Sequence, residues 1–205
     1  MLHFDAIEPN TFELLRKLMS VSVLKDTRLV GGVSLALQLG HRKSNDIDLF
    51  GTLNVTPEEI QNECCKIGSL EISRISSRSN IYWLDGVKVD CINYPYRWLD
   101  ECKVVNDIRL ASINDIAAMK INAIIRRGTK NDYVDLHFIL KEMPLYQALD
   151  LYEQKYTDIP RNVAINCLTN FRHAEEDPMP FMFSDTRWYD IKHSICSEVK
   201  NYKCG

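Results

Sequence analysis

Asp46 and Asp48 are the first residues whose types and spacing suggest chemistry, in Asp46-Ile47-Asp48-Leu49-Phe50. Polar and apolar residues alternate there, which is the period of a half-buried strand. The two carboxylates therefore share one face, while Ile47 and Leu49 point the other way into a core. Acids held that close repel unless a cation lies between them, and all-oxygen ligation suits Mg2+. A solvated strand edge is the plainer alternative. Upstream lies Gly31-Gly32-Val33-Ser34, between a short strand and a helix. Two glycines let a phosphate approach the backbone, a helix N-terminus offers N–H groups and a positive dipole end, and Ser34 can add its hydroxyl. A tight turn would explain the glycines alone. The two motifs together describe a site that binds a triphosphate on one side and metal on the other.

Further charged residues fit such a site. In Val87-Lys88-Val89-Asp90-Cys91-Ile92, alternation puts Val87, Val89 and Cys91 on one face and Lys88, Asp90 and Ile92 on the other. Asp90 is a third metal ligand, a base for an attacking hydroxyl, or an exposed strand acid. Lys120 falls inside the apolar stripe of Ile113, Ile116, Ala117 and Ile124, where it either snorkels or faces a polar cleft that holds triphosphate. Asp132 and Asp135 lie on one side of the next helix. The helix dipole accounts for one of them, and Lys130 is a candidate partner for either. The histidines have no metal-ligand spacing and read as structural.

These residues need elements to hold them. A helix is expected over residues 10–20, capped by Asn10 or Thr11, and strands over 27–30 and 46–50. A helix over 34–39 is stopped by Gly40. Thr56-Pro57-Glu58-Glu59 is a capping box that starts a helix running to about Gly68. Strands follow over 70–76, 80–84 and 87–93, the last two joined by an Asp85-Gly86 hairpin turn. After a linking stretch come helices over 112–127 and 130–143. A mainly helical remainder is broken by Pro160 and by Pro178 and Pro180. The expected organisation is α+β, with an α/β core over residues 1–105. A helical region over 106–205 packs against it and closes the nucleotide cleft.

Bulk properties narrow the class. With 45% hydrophobic and 26% charged residues, the composition is that of an ordinary soluble protein. No apolar run approaches the roughly 20 residues a bilayer requires, and Met1-Leu2-His3-Phe4-Asp5 does not read as a signal peptide. The expected location is cytoplasmic, with no membrane partner. The seven cysteines are odd in number and irregularly spaced, so they read as reduced and mostly buried thiols. A net charge of −3 argues against general coating of DNA. It leaves room for local recognition of an RNA end by Arg126, Arg127 and Lys130, or by His41, Arg42 and Lys43.

The stretch from Leu29 to Arg42, with Ser44 and Asp46-Ile47-Asp48-Leu49-Phe50, resembles the AbiEii/AbiGii toxin family of nucleotidyltransferases. So do Asp115-Ile116-Ala117-Ala118-Met119-Lys120 and the segment from Arg127 to Leu136. The resemblance spans roughly residues 10–145. It implies a polymerase-β-like fold, in which a mixed sheet with flanking helices is followed by a helical C-terminal region. It implies a nucleoside triphosphate (NTP) as substrate, with Mg2+ or Mn2+ as cofactor, and a toxin paired with a cognate antitoxin. Some relatives add nucleotides to the 3′ end of tRNA; a protein hydroxyl or a small molecule such as an antibiotic is the alternative acceptor. Carried over by residue, Asp46 and Asp48 fall on the metal pair and Ser34 on the glycine–serine motif. Lys120 falls on the helix lysine and Asp132 on the acid of an Arg/Lys-Asp-x-x-Asp-Leu motif, although Asn131 stands where a basic residue is frequent. The expected site therefore comprises Asp46, Asp48, Asp90, Lys120 and Asp132 for catalysis. Gly31, Gly32, Ser34, Lys120 and Lys130 are expected to hold the nucleotide, and Asp46, Asp48 and Asp90 the metal. A module that binds nucleotide or antitoxin without catalysis is the alternative.

Overall fold

A computed structural model describes residues 2–204, which fall into two compact units. The first runs to Pro95 and includes Glu101–Ala111; the second comprises Tyr96–Asp100 and the chain from Ser112 onward. The boundary thus differs from a single cut after residue 105.

In the first unit, α1 (Pro9–Ser20) starts with Pro9 in its first turn and Glu8 as N-cap, so neither Asn10 nor Thr11 is the cap. β1 (Thr27–Val30) runs directly into α2 (Gly31–Leu39). Gly40 ends α2 with φ +63°, a left-handed conformation that glycine adopts without steric cost. β2 (Ile47–Gly51) is followed by α3 (Pro57–Cys64), whose Thr56–Glu59 capping box is formed in both directions. α3 is shorter than expected, ending at Cys64.

β3 (Leu70–Ile75), β4 (Ser79–Leu84) and β5 (Val87–Asn93) form an antiparallel meander. Asp85 and Gly86, both at positive φ, make the tight turn between β4 and β5. The stretch expected as a linker instead forms a hairpin of β6 (Lys103–Val105) and β7 (Ile108–Leu110), turned by Asn106 and Asp107 at φ +51° and +63°. It joins the same mixed sheet, in the order β3-β4-β5-β2-β1-β7-β6. β2 pairs with β5 and β1 with β7 in parallel; the other pairings are antiparallel. Leu29, Val33, Leu37, Ile47, Leu49, Val89, Cys91 and Leu110 are buried in its core with Leu14, Leu15 and Leu18 of α1.

The second unit contains α4 (Ile113–Arg126), α5 (Lys130–Glu142), α6 (Leu145–Lys155), α7 (Arg161–Cys167) and α8 (Trp188–Cys204), with α4 in contact with α5, α6 and α7. A buried ion pair explains why residues 96–100 belong here. Asp115 accepts hydrogen bonds from Leu99 N (2.9 Å), Asp100 N (3.3 Å) and the Ser112 cap hydroxyl (2.9 Å). It meets Lys155 Nζ at 2.7 Å, with neither side chain exposed. Lys155 also donates to Arg97 O and lies over the Trp98 ring. Burying these charges is tolerable because each is paired and hydrogen-bonded.

Of the seven cysteines, Cys64 and Cys91 are buried, Cys102 and Cys167 are half-buried, and Cys65, Cys196 and Cys204 are exposed. All are free thiols as expected, but most are not buried. Among the described residues, no helix is long and apolar enough to cross a membrane.

Candidate active site

The β1–α2 junction and the paired strands β2 and β5 gather one group of expected residues within the first unit. Val30 pairs with Asp48 across β1 and β2, so the glycine turn that follows Val30 is brought to Asp48. Gly31 has φ +67°, and a Cβ built there would lie only 2.0 Å from Asp48 Oδ2. Only glycine lets the carboxylate settle on this backbone. Gly32 is equally tight: a Cβ there would lie 2.5 Å from Arg42 Nη2 and 2.7 Å from Ser44 Oγ.

Ser34 departs from expectation. α2 begins at Gly31, so Ser34 already lies within its first turn and is fully buried. Gln38 Nε2 lies 3.3 Å from both its hydroxyl and its carbonyl. The Ser34 hydroxyl is thus buried beside Gln38, whereas Ser44 and Arg42 stand over the glycine backbone. Ser44 carries no role in the sequence reading beyond the family motif; its place two residues before Asp46 is the signal that could have singled it out.

Asp90 is the register partner of Asp48 on the adjacent parallel strand. Alternating burial along β2 and β5 sets Asp48, Lys88 and Asp90 on the less buried face and Ile47, Leu49, Val89 and Cys91 in the core. Asp46, just before β2, is exposed. The register continued by one residue would set Asp46 level with Lys88.

The residue missed in sequence is Lys88. Its Nζ lies 2.9 Å from Asp90 Oδ1 and 3.0 Å from Oδ2. The hydrogen bond goes to Oδ2; Oδ1 is buried and has no hydrogen-bond donor despite the nearby ammonium. Burial pulls the Lys88 pKa down, but the hydrogen bond and charge of Asp90, reinforced by Asp48 and Asp46, outweigh it and raise it.

Do these residues suit a divalent ion? Among the described residues, no three His, Cys, Asp and Glu side chains are arranged to hold a metal ion as they stand. Mg2+ takes only one or two carboxylates and completes its shell with water and substrate phosphates. Asp48 and Asp90 supply hard oxygens on adjacent strands, and Asp90 Oδ1 lacks a donor. The donor set fits.

Lys120, Asp132 and Lys130 belong to the second unit. Lys120 Nζ lies 3.1 Å from Asp132 Oδ1 and 2.6 Å from Asp135 Oδ2. Asp132 also takes a forked pair from Arg127, Nε to Oδ2 at 2.9 Å and Nη2 to Oδ1 at 3.0 Å, and the Thr129 hydroxyl at 2.7 Å. Burial would raise the pKa of Asp132, but the Lys120 charge, the Arg127 contacts and Thr129 bring it down to about 2. So strongly held an anion is a poor base and a firm anchor for Lys120.

Lys130 partners neither acid. Its ammonium caps the carbonyls of Glu175 and Asp177 and lies over the Trp188 ring, while its N–H donates to Asp177. It is almost wholly buried, with its ammonium turned to these carbonyls. Of the basic residues expected to cluster, Arg126 pairs with Asp158, Arg127 with Asp132, and Lys43 with Glu8.

Comparison with known proteins agrees with this architecture. An uncharacterized protein of Aquifex aeolicus (strain VF5) is 31% identical over 199 residues, covering 93% of this chain and 94% of that one. A crystal structure from H. pylori, assigned as a nucleotidyltransferase, superposes with a TM-score of 0.63 at 16% identity, covering 98% and 95% of the two chains. MenT4, a nucleotidyltransferase toxin of Mycobacterium tuberculosis H37Rv, has a TM-score of 0.55 at 15% identity, covering 92% and 81%. The antibiotic-resistance factor ANT(2'')-Ia has a TM-score of 0.54 at 15% identity, covering 70% and 89%. The fold is therefore that of the polymerase-β-like nucleotidyltransferases. Residues 13–196 match the model described as nucleotidyl transferase AbiEii toxin, type IV toxin–antitoxin system, and the chain belongs to that family of nucleotidyltransferase enzymes.

Proposed function

We propose that this toxin-family enzyme moves a nucleotidyl group from an Mg2+-bound nucleoside triphosphate to an acceptor hydroxyl and releases pyrophosphate. The observation that carries the reading is the Gly31–Asp48–Asp90 arrangement. A carboxylate rests on a glycine backbone at a helix N-terminus, with a second carboxylate beside it across parallel strands. The first-turn N–H groups of α2 have no intrahelical acceptor and suit phosphate oxygens. Arg42, with its guanidinium against Gly32, adds positive charge there.

In the proposed reaction the acceptor oxygen forms a bond to the α-phosphorus, and the bond from that phosphorus to the bridging oxygen of pyrophosphate breaks. Asp90, whose Oδ1 accepts no hydrogen bond, would take the hydroxyl proton. A bound divalent ion would polarise the α-phosphate and neutralise the leaving pyrophosphate. Asp48 and Asp90 would hold it, and Asp46, exposed at the entry to β2, would complete the acidic face. Lys120 is assigned to the nucleotide by family likeness, and its clamp by Asp132 and Asp135 would fix the ammonium in one direction. A cognate antitoxin is the protein partner that family membership suggests.

The acceptor classes are tested together. Protein is incubated with each α-labelled triphosphate, Mg2+ and total RNA, a protein extract or an aminoglycoside. Label should enter one class, and Asp48→Ala should abolish it. No labelled product from any class would refute the proposal.

A further inference from the structure

We propose that Lys88 is the resident counter-ion of the Asp46–Asp48–Asp90 face, holding Asp90 in the metal-free protein and yielding its place when a divalent ion binds. The inference rests on the metal site proposed above. It adds a residue that sets the affinity of that site and keeps it folded without metal.

The geometry is specific. Lys88 and Asp90 are two residues apart on β5 and therefore on one face, with the ammonium within 3.0 Å of both carboxylate oxygens. An ordinary surface pair couples two well-solvated groups and contributes little. Here the Asp90 side chain is only 17% exposed and that of Lys88 31%. Removing the ammonium would leave a largely buried carboxylate next to Asp48, its register neighbour.

An ammonium and a divalent ion cannot both sit against Asp90 without strong repulsion. The two occupancies therefore compete. The flexible four-carbon stem of lysine lets the ammonium swing aside, which a rigid cationic group could not do as readily.

The test measures Mn2+ binding without nucleotide, by electron paramagnetic resonance titration, in the full chain. Wild type is compared with Lys88→Met, Lys88→Gln and Lys88→Arg, and Asp48→Asn serves as the site control. Both neutral variants should bind Mn2+ about tenfold more tightly, the scale of one unit charge removed from a partly exposed site. They should also melt at lower temperature in metal-free, low-salt buffer and gain more from added Mn2+ than wild type does. Lys88→Arg should keep the metal-free stability of wild type and bind Mn2+ no more tightly than wild type, because its guanidinium leaves Asp90 less readily. Unchanged or weaker Mn2+ binding in the neutral variants, with wild type binding and Asp48→Asn not binding, overturns the role of Lys88 and leaves the metal site standing. No Mn2+ binding to wild type or to either neutral variant overturns the metal site, and the role of Lys88 with it.

Discussion

Replacing Lys120 with methionine removes the ammonium between Asp132 and Asp135, two carboxylates with no exposed side-chain surface. Methionine keeps the length of the stem and fills its space, so the loss is mainly electrostatic. Taking one partner from a buried ion pair costs about 3 to 5 kcal/mol. Arg127 remains forked onto Asp132, so the lower end, about 3 kcal/mol, is expected near neutral pH.

The pH dependence separates this from a packing defect. In wild type Asp132 is held at about 2, below its ordinary 3.8. Its contribution is complete above the ordinary carboxylate range and is lost as pH falls through 2. In Lys120→Met the two buried acids hold protons more strongly, so the deficit is largest near neutral pH and narrows as pH falls. Urea unfolding followed by circular dichroism, at about pH 7 and about pH 5, reads both quantities. A loss under about 1 kcal/mol, within the range of routine substitutions, would refute the clamp. So would a deficit that grows toward acid. Adding Asp135→Asn should restore part of the stability, because the two sites are coupled.

Asp115→Ala leaves Lys155 buried beside Trp98 and frees the N–H groups of Leu99 and Asp100. It should cost about 3 to 5 kcal/mol in urea unfolding; a near-neutral result would mean the pair is not buried in solution. Gly31→Ala drives a methyl into Asp48 and strains a positive φ. Nucleotidyl transfer should fall about a hundredfold, the cost of displacing a reacting group by an ångström, while the circular dichroism spectrum stays native. Activity within threefold of wild type (roughly 0.6 kcal/mol) would argue that Asp48 need not lie on that turn.

The sequence made visible what depends on local rules. The alternation around Asp48 and Asp90, the Thr56 capping box and the Asp85-Gly86 turn are short-range patterns, and all appear in the fold. The β6–β7 hairpin escaped because its strands have three residues each and its turn uses Asn106 and Asp107 with no glycine to mark it. The burial of Ser34 was not legible because the helix starts three residues earlier than expected, which puts Ser34 inside its first turn beside Gln38. Charge partners were the least legible. Lys155 finds Asp115 at a separation of 40 residues, and no period links them. Lys88 looked like any lysine on the solvent face of a strand until the parallel register set Asp48 next to Asp90.

Pyrophosphate release bears most directly on the proposed chemistry, because it reports cleavage at the α-phosphorus whatever the acceptor. Wild type and Asp48→Asn would be compared with each triphosphate and a mixed acceptor extract, with Mg2+ and again with a chelator. Pyrophosphate should form in step with labelled product in wild type only, and the chelator should abolish it. Equal release by Asp48→Asn, or release that persists in chelator, would show that the acidic face of β2 and β5 is not where the bond is broken.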